Sequence, residues 1–198
     1  MPRLARQPSA SGYYHVLARG HNRQQIFRDE ADYRRYLSEL TRFKSLFPAK
    51  CYHFCLMPNH VHLLLQTDGI QVLTGFIRRV QQAYQLHWRR RHRLVGHLWQ
   101  GRFKSIPIEQ ESYLLECARY IERNPVRAGL CENPEEYIWS SARVYLTGDS
   151  LMSEFLDPSP AFRFLASNDL IRRRLYRDYV SRARPYEQLV DSQLARLT

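Results

Sequence analysis

The sequence predicts an α+β fold: a ferredoxin-like antiparallel sheet with helices on one face, extended at the C-terminal end by further helices. Three observations carry this. Apolar residues alternate at two-residue spacing in four short runs, recur at three- and four-residue spacing in longer ones, and follow one another in the order β-α-β-β-α-β. With 198 residues, 44% hydrophobic and 13% aromatic, the chain has the length and composition of one folded core despite a net charge of +11.

Residues 1–12, with Arg3 and Arg6, read as an N-terminal arm. Tyr14, Val16 and Ala18 alternate ahead of Gly20, which predicts a first strand over 13–19. Across 29–47, Tyr33, Tyr36, Leu37, Leu40, Phe43 and Phe47 recur at helical spacing behind the capping residue Asp29. Residues 51–57 and 60–67 are strand-like runs joined only by Pro58 and Asn59, hence a hairpin. From 72 to 91, Leu73, Phe76, Ile77, Val80, Tyr84 and Trp88 share one helical face, while Arg78, Gln82, Gln85 and Arg89 line another. Residues 103–109 predict a fourth strand ending near Pro107, and 111–124 a third helix stopped by Pro125. Beyond Asn133, stretches 134–146 and 157–182 are helical in pattern about a turn at Gly148, Asp149 and Ser150, so 134–198 is expected to form a helical tail. The sheet face away from the helices is expected to be free for a ligand.

The charge has a location. No carboxylate occurs between Gly69 and Ile108, a stretch that holds Arg78, Arg79, Arg89, Arg90, Arg91, Arg93, Arg102 and Lys104. Solvated surfaces normally intersperse both signs, so this pattern points to a polyanionic partner. No run is apolar and long enough for a membrane span, and the N-terminus has no signal-like segment, so a soluble, cytoplasmic protein with reduced cysteines is expected. The four cysteines, Cys51, Cys55, Cys117 and Cys131, fit no common disulfide framework and read as buried thiols.

His60 and His62 flank Val61 on the predicted third strand, where the two-residue period sends both imidazoles to one face. Tyr120 and Asn124 lie four residues apart on the predicted third helix and share a face. On residue types alone, each pair suits packing as well as chemistry. A non-catalytic RNA-recognition-like module has the same element order, but the third strand lacks that module's stacking rings. A structural zinc site built from Cys51, Cys55, His60 and His62 lacks the usual ligand spacing.

The segments Met57-Pro-Asn-His-Val-His-Leu-Leu-Leu65, Trp99-Gln-Gly-Arg-Phe-Lys-Ser105 and Tyr120-Ile-Glu-Arg-Asn-Pro-Val-Arg-Ala-Gly129 resemble the REP-associated tyrosine transposases, relatives of the single-tyrosine HUH insertion-sequence transposases. Arg19-Gly-His-Asn-Arg23, Ile26-Phe27 and Trp139-Ser-Ser141 fit the same family in order and spacing. The resemblance implies that 13–133 is the catalytic domain, with Tyr120 as nucleophile and His60 and His62 as ligands of a divalent ion, Mg²⁺ or Mn²⁺. It implies Asn124 as a third ligand. Glutamine is frequent at that position in the wider family, and the shorter asparagine binds directly, binds through water, or orients a neighbour. The expected reaction is cleavage and transfer of single-stranded DNA through a 5′-phosphotyrosine, at palindromic hairpins. A hydrolytic metal nuclease is the catalytic alternative. Arg78, Arg79, Arg89, Arg102 and Lys104 are expected on phosphates, Arg19, Asn22 and Arg23 on a short guide sequence, and Trp99, Phe103 and Tyr84 as stacking rings. Monomer and homodimer both remain open.

Overall fold

A computed structural model of the chain describes residues 6–149, 154–182 and 186–196; Arg3 and Ser150 lie outside the described residues. Four strands, β1 (Tyr13–Arg19), β2 (Ala49–Met57), β3 (His60–Thr67) and β4 (Lys104–Pro107), form one sheet in the order β2-β3-β1-β4, with every neighbouring pair antiparallel. Inserting β3 between β1 and β2 is the split β-α-β arrangement of ferredoxin-like folds. Pro58 and Asn59 close the hairpin, with Met57 opposite His60. A register shift between Cys51 and His53 puts Tyr52, Cys55 and Met57 on one face of β2, and Cys51, Phe54 and Leu56 on the other.

Helices α1 (Glu30–Lys44) and α2 (Ile70–His92) cover one face, as expected. Asp29 caps α1 by accepting the amides of Ala31 and Asp32, which satisfies two of the helix's free donors. The apolar stripes of both helices meet Tyr14, Val16, Ala18, Phe54, Leu63 and Leu65 in the largest core cluster. Burying one such side chain contributes about 1.5–3 kcal/mol.

The opposite face is not free. Helix α3 (Ser112–Arg127) packs on it, placing Leu114, Cys117, Tyr120 and Ile121 against Leu17, Tyr52, Cys55 and Leu64. The reason is visible in α3 itself: its apolar stripe needs a partner, and α1 and α2 already fill the first face. Nor does Pro125 stop α3, which runs to Arg127. Proline cannot donate to the Ile121 carbonyl. The side-chain amide of Asn124 turns back onto the helix, donating to the carbonyls of Tyr120 at 2.7 Å and Ile121 at 3.4 Å. The helix ends one turn later, where Gly129 takes the left-handed conformation (φ 68°) and Leu130 N–H reaches the Pro125 carbonyl at 2.9 Å.

The tail is more broken than its periodicity predicts. It comprises a 3₁₀ turn at Pro134–Glu136, α4 (Ala142–Thr147), α5 (Pro160–Phe164), α6 (Asp169–Val180) and α7 (Tyr186–Arg196). Its anchor is Glu122, fully buried on α3, which accepts from His53 Nδ1 at 2.8 Å, Ser141 Oγ at 2.6 Å and the Tyr176 hydroxyl at 2.7 Å. Ser159 Oγ lies 3.0 Å from His53 Nε2, so one carboxylate ties α3 to β2, α6 and the residues that open α4 and α5. The Trp139-Ser-Ser141 segment thereby acquires a physical role: Ser141 joins this network, and the Trp139 ring stacks on Tyr33 of α1 at 4.5 Å.

Candidate active site

The β3 register sends His60 and His62 to the α3 face, with ring centroids 4.9 Å apart. Tyr120 meets them there, its ring 5.7 Å from that of His62. The pairing inferred from strand and helix spacing is therefore brought together, but in an enclosed place: His62 is 2% exposed and Tyr120 is 3% exposed.

Each histidine has one nitrogen engaged. His60 Nδ1 donates to Asn59 Oδ1 at 2.6 Å, which leaves its Nε2 as a lone-pair donor. His62 Nδ1 lies 2.9 Å from Nε2 of His15, a buried residue whose ring stacks on His62 and meets Tyr120 edge-on at 5.5 Å. Burial, reinforced by the charge of Arg19, lowers the His60 pKa to about 4, and burial lowers that of His15 to about 3. Burial first, then His60, His15, Arg19 and Arg127, holds His62 well below the usual imidazole range. A neutral His60 that donates through Nδ1 has Nε2 free for a divalent ion, and His62 matches it in the tautomer whose Nδ1 proton is shared with His15, since imidazole binds metal only through an unprotonated nitrogen. No group of three His, Cys, Asp or Glu side chains suited to a metal occurs among the described residues. A third protein ligand would therefore have to be of another type. The inward turn of Asn124 Nδ2 leaves Oδ1 as its remaining coordinating atom.

The phenol of Tyr120 donates to Asp191 Oδ1 of α7 at 2.8 Å. Burial, then the Asp191 carboxylate, raises its pKa above the ordinary tyrosine value, opposed by Arg127. That guanidinium stands 5.1 Å over the Tyr120 ring and pairs with Asp191. The contact belongs to a ladder in which Arg119, Arg123 and Arg127, at four-residue spacing on α3, meet Glu187 and Asp191 of α7. Tyr113, the other tyrosine at helical spacing on α3, is 42% exposed.

Sequence reasoning missed His15, Asn59 and Asp191. Strand parity places Tyr13, His15, Leu17 and Arg19 on one face, but the β1–β3 register that sets Leu17 opposite His62, and His15 diagonal to it, was not legible. Asp191 lies 71 residues from Tyr120, with no local pattern to link them.

The basic residues divide. Arg19 pairs with His60 across β1 and β3, and Lys104 lies opposite Leu17 on β4, so both border the site. Arg78, Arg79 and Arg89 stand exposed along α2, as do Asn22 and Arg23 in a 3₁₀ turn at His21–Arg23 and Arg102 in a loop. The three rings expected to stack on bases do not present themselves. Tyr84, Phe103 and Trp99 are 0%, 5% and 7% exposed, because the core between α1, α2 and the sheet consumes them. Tyr84 donates to the Ile26 carbonyl, and Trp99 Nε1 donates to the Gln81 carbonyl. All four cysteines are free thiols, three of them buried.

A tyrosine, two neutral histidines and a basic rim on a ferredoxin-like sheet coincide with a family match: the model of IS200-like transposases aligns with residues 9–124. The chain belongs to this transposase family. Membership makes it an enzyme of DNA cleavage and strand transfer. A Haemophilus influenzae protein assigned as a REP-associated tyrosine transposase is 27% identical over 124 residues, covering 54% of this chain and 70% of the relative. A REP-associated tyrosine transposase solved bound to a REP hairpin has the same fold, with a TM-score of 0.63 at 16% identity over 80% of this chain and 93% of that one. Among the described residues, no helix of this transposase is long and apolar enough to cross a membrane.

Proposed function

We propose that the chain cleaves and rejoins single-stranded DNA at hairpin-forming repeats, through attack by Tyr120 at a site where His60, His62 and Asn124 hold a divalent ion. The observation that carries this reading is the junction of one tyrosine with two neutral imidazoles whose Nδ1 atoms are already engaged. The repeat hairpin as substrate is supported by the names of the two REP-associated relatives.

Mg²⁺ or Mn²⁺ would suit the ligands, with Mn²⁺ the better match to two histidines; when bound it supplies positive charge to the phosphate oxygens. The chain's own residues do the rest. Asn59 orients His60, and His15 orients His62. In the arrangement seen, the Tyr120 hydroxyl is a protonated donor to Asp191, so an incoming phosphate has to displace that carboxylate from both Tyr120 and Arg127. Attack then forms the tyrosyl O–P bond and breaks the P–O3′ bond. The tyrosine proton passes to water, and the departing 3′ oxygen takes a proton from water to become the hydroxyl. The phosphotyrosine conserves the bond, so another 3′ hydroxyl can reverse the step and join a new end. Arg19 and Lys104 at the rim, and Arg78, Arg79, Arg89 and Arg102 beyond it, supply positive charge along the strand's path.

The test is cleavage of a labelled single-stranded hairpin with Mn²⁺. His60→Ala and His62→Ala should each slow it on the order of 100-fold, the few kcal/mol a metal contributes, and chelation should do the same to the unaltered protein. Full activity in either variant, or in chelator, removes the metal assignment.

A further inference from the structure

We infer that the cleft between the His21–Arg23 turn, α2 and residues 97–101 is a second DNA subsite that holds one unpaired nucleotide, its base against glutamine amides and its phosphate against Arg78. The inference rests on the strand-transfer reading above and adds a site to it. The half-open cleft has a volume of about 410 Å³ and is lined chiefly by His21, Arg78, Gln81, Gln82, Gln85 and His97, with Trp99 among its walls and no carboxylate. That volume suits a single small ligand and excludes a duplex.

Its chemistry is that of a base edge and an anion. Arg78, Gln81, Gln82 and Gln85 fall at i, i+3, i+4 and i+7 along α2 and form one polar stripe. Gln85 Oε1 accepts the Leu98 amide at 3.2 Å, so its amide nitrogen remains a donor. Gln81 is 9% exposed, and its Nε2 is buried with no partner. Unmet buried donors are rare in native structures, and an acceptor on a base edge would satisfy this one. A glutamine amide offers the adjacent donor and acceptor that pair with a base, and a guanidinium suits its phosphate.

The neighbouring turn is strained and over-determined. Asn22 and Arg23 both hold the left-handed conformation, at φ 49° and 56°, unusual for residues other than glycine. The turn is pinned by Gly20 N–H to the Asn59 carbonyl and His21 N–H to the Leu98 carbonyl, both at 2.8 Å. A side chain at Gly20 would put Cβ 2.3 Å from the Gln24 carbonyl. Backbone strain maintained in this way concentrates at ligand clamps. The turn also touches the catalytic end, because Asn59 Nδ2 donates to the Arg23 carbonyl at 3.3 Å while Oδ1 of the same amide holds His60. A nucleotide in the cleft therefore lies beside the strand end that carries the histidines.

Fluorescence anisotropy of the full chain with single-stranded pentanucleotides differing only at the central base, and with a blunt hairpin, tests this. Gln81→Leu and the exposed Gln82→Ala should each weaken single-strand binding about tenfold and flatten the preference among central bases, leaving the blunt hairpin unchanged. Arg78→Gln should weaken all four pentanucleotides alike and reduce the salt dependence. Unchanged affinity and base preference in both amide variants, with single-strand binding and the Tyr120 adduct intact, overturn the subsite alone. Failure of the unaltered protein to bind any pentanucleotide overturns the subsite together with the reading beneath it.

Discussion

The two faces of the sheet are built by different rules. Against α1 and α2, alternate residues of β1 are Tyr14, Val16 and Ala18, and the core is almost wholly apolar and aromatic. Against α3, the alternating set is Tyr13, His15, Leu17 and Arg19, and buried with it are His62, His53, Glu122 and Arg119. The first face gains stability from area removed from water. The second keeps buried polar groups that are tolerable only because nearly every one has a partner. The comparison teaches what each face demands: the first needs only apolar area, whereas the second holds three histidines beside a tyrosine by pairing its polar groups, and it is there that the proposed chemistry is placed.

The largest expected effect strikes the hub of the polar face. Glu122→Ala leaves two buried donors, on His53 and Tyr176, without an acceptor and leaves Ser141 only the Phe54 carbonyl, and should destabilise the chain by about 3–5 kcal/mol in urea unfolding. A loss below about 1 kcal/mol, the typical net value of one hydrogen bond, would mean that the two faces are energetically alike.

A smaller and more selective effect is expected at His15. His15→Phe keeps a ring in the β1 position but removes the partner of His62 Nδ1, so Mn²⁺ affinity by calorimetry should fall about 10- to 100-fold. The thermal midpoint should hold or rise, since a buried polar ring is replaced by an apolar one. Unchanged metal affinity would demote His15 to packing.

Acid should reveal the same asymmetry more gently. His15 and His60 titrate near 3 and 4 in the fold, against about 6.5 for a free imidazole. Between those limits the unfolded chain binds more protons than the folded one. Stability is therefore fully present above pH about 6.5 and falls as the pH drops toward 4. Melting in chelator across this window should show the decline, with a shallower slope for His15→Phe; equal slopes would contradict the buried-neutral assignment.

The apolar face was the more legible in the sequence. Period-two and period-3.6 patterns over 13–19, 29–47 and 72–91 state directly which residues face each other there, because burial alone selects them. The α3 face was legible only as motifs. His60, His62 and Tyr120 could be named, but the enclosure of the site, the role of His15 and the reach of Asp191 depend on register and on contacts across 47 and 71 residues. Pro125 misled for a local reason: a neighbouring asparagine replaced part of what proline removes. Tyr84, Phe103 and Trp99 misled because aromatic rings serve cores and nucleic acids equally well, and nothing in spacing separates the two uses.

The central claim is that Tyr120 becomes covalently joined to DNA. Incubating the chain with Mn²⁺ and a single-stranded hairpin from the repeats of its own genome, then separating products on a denaturing gel and sequencing the modified peptide by mass spectrometry, tests it directly. The account predicts a protein–DNA adduct on Tyr120, lost in Tyr120→Phe with DNA binding retained and unaffected by Tyr113→Phe. Cleavage that proceeds with no adduct in the unaltered protein, or an adduct that survives Tyr120→Phe, would contradict it.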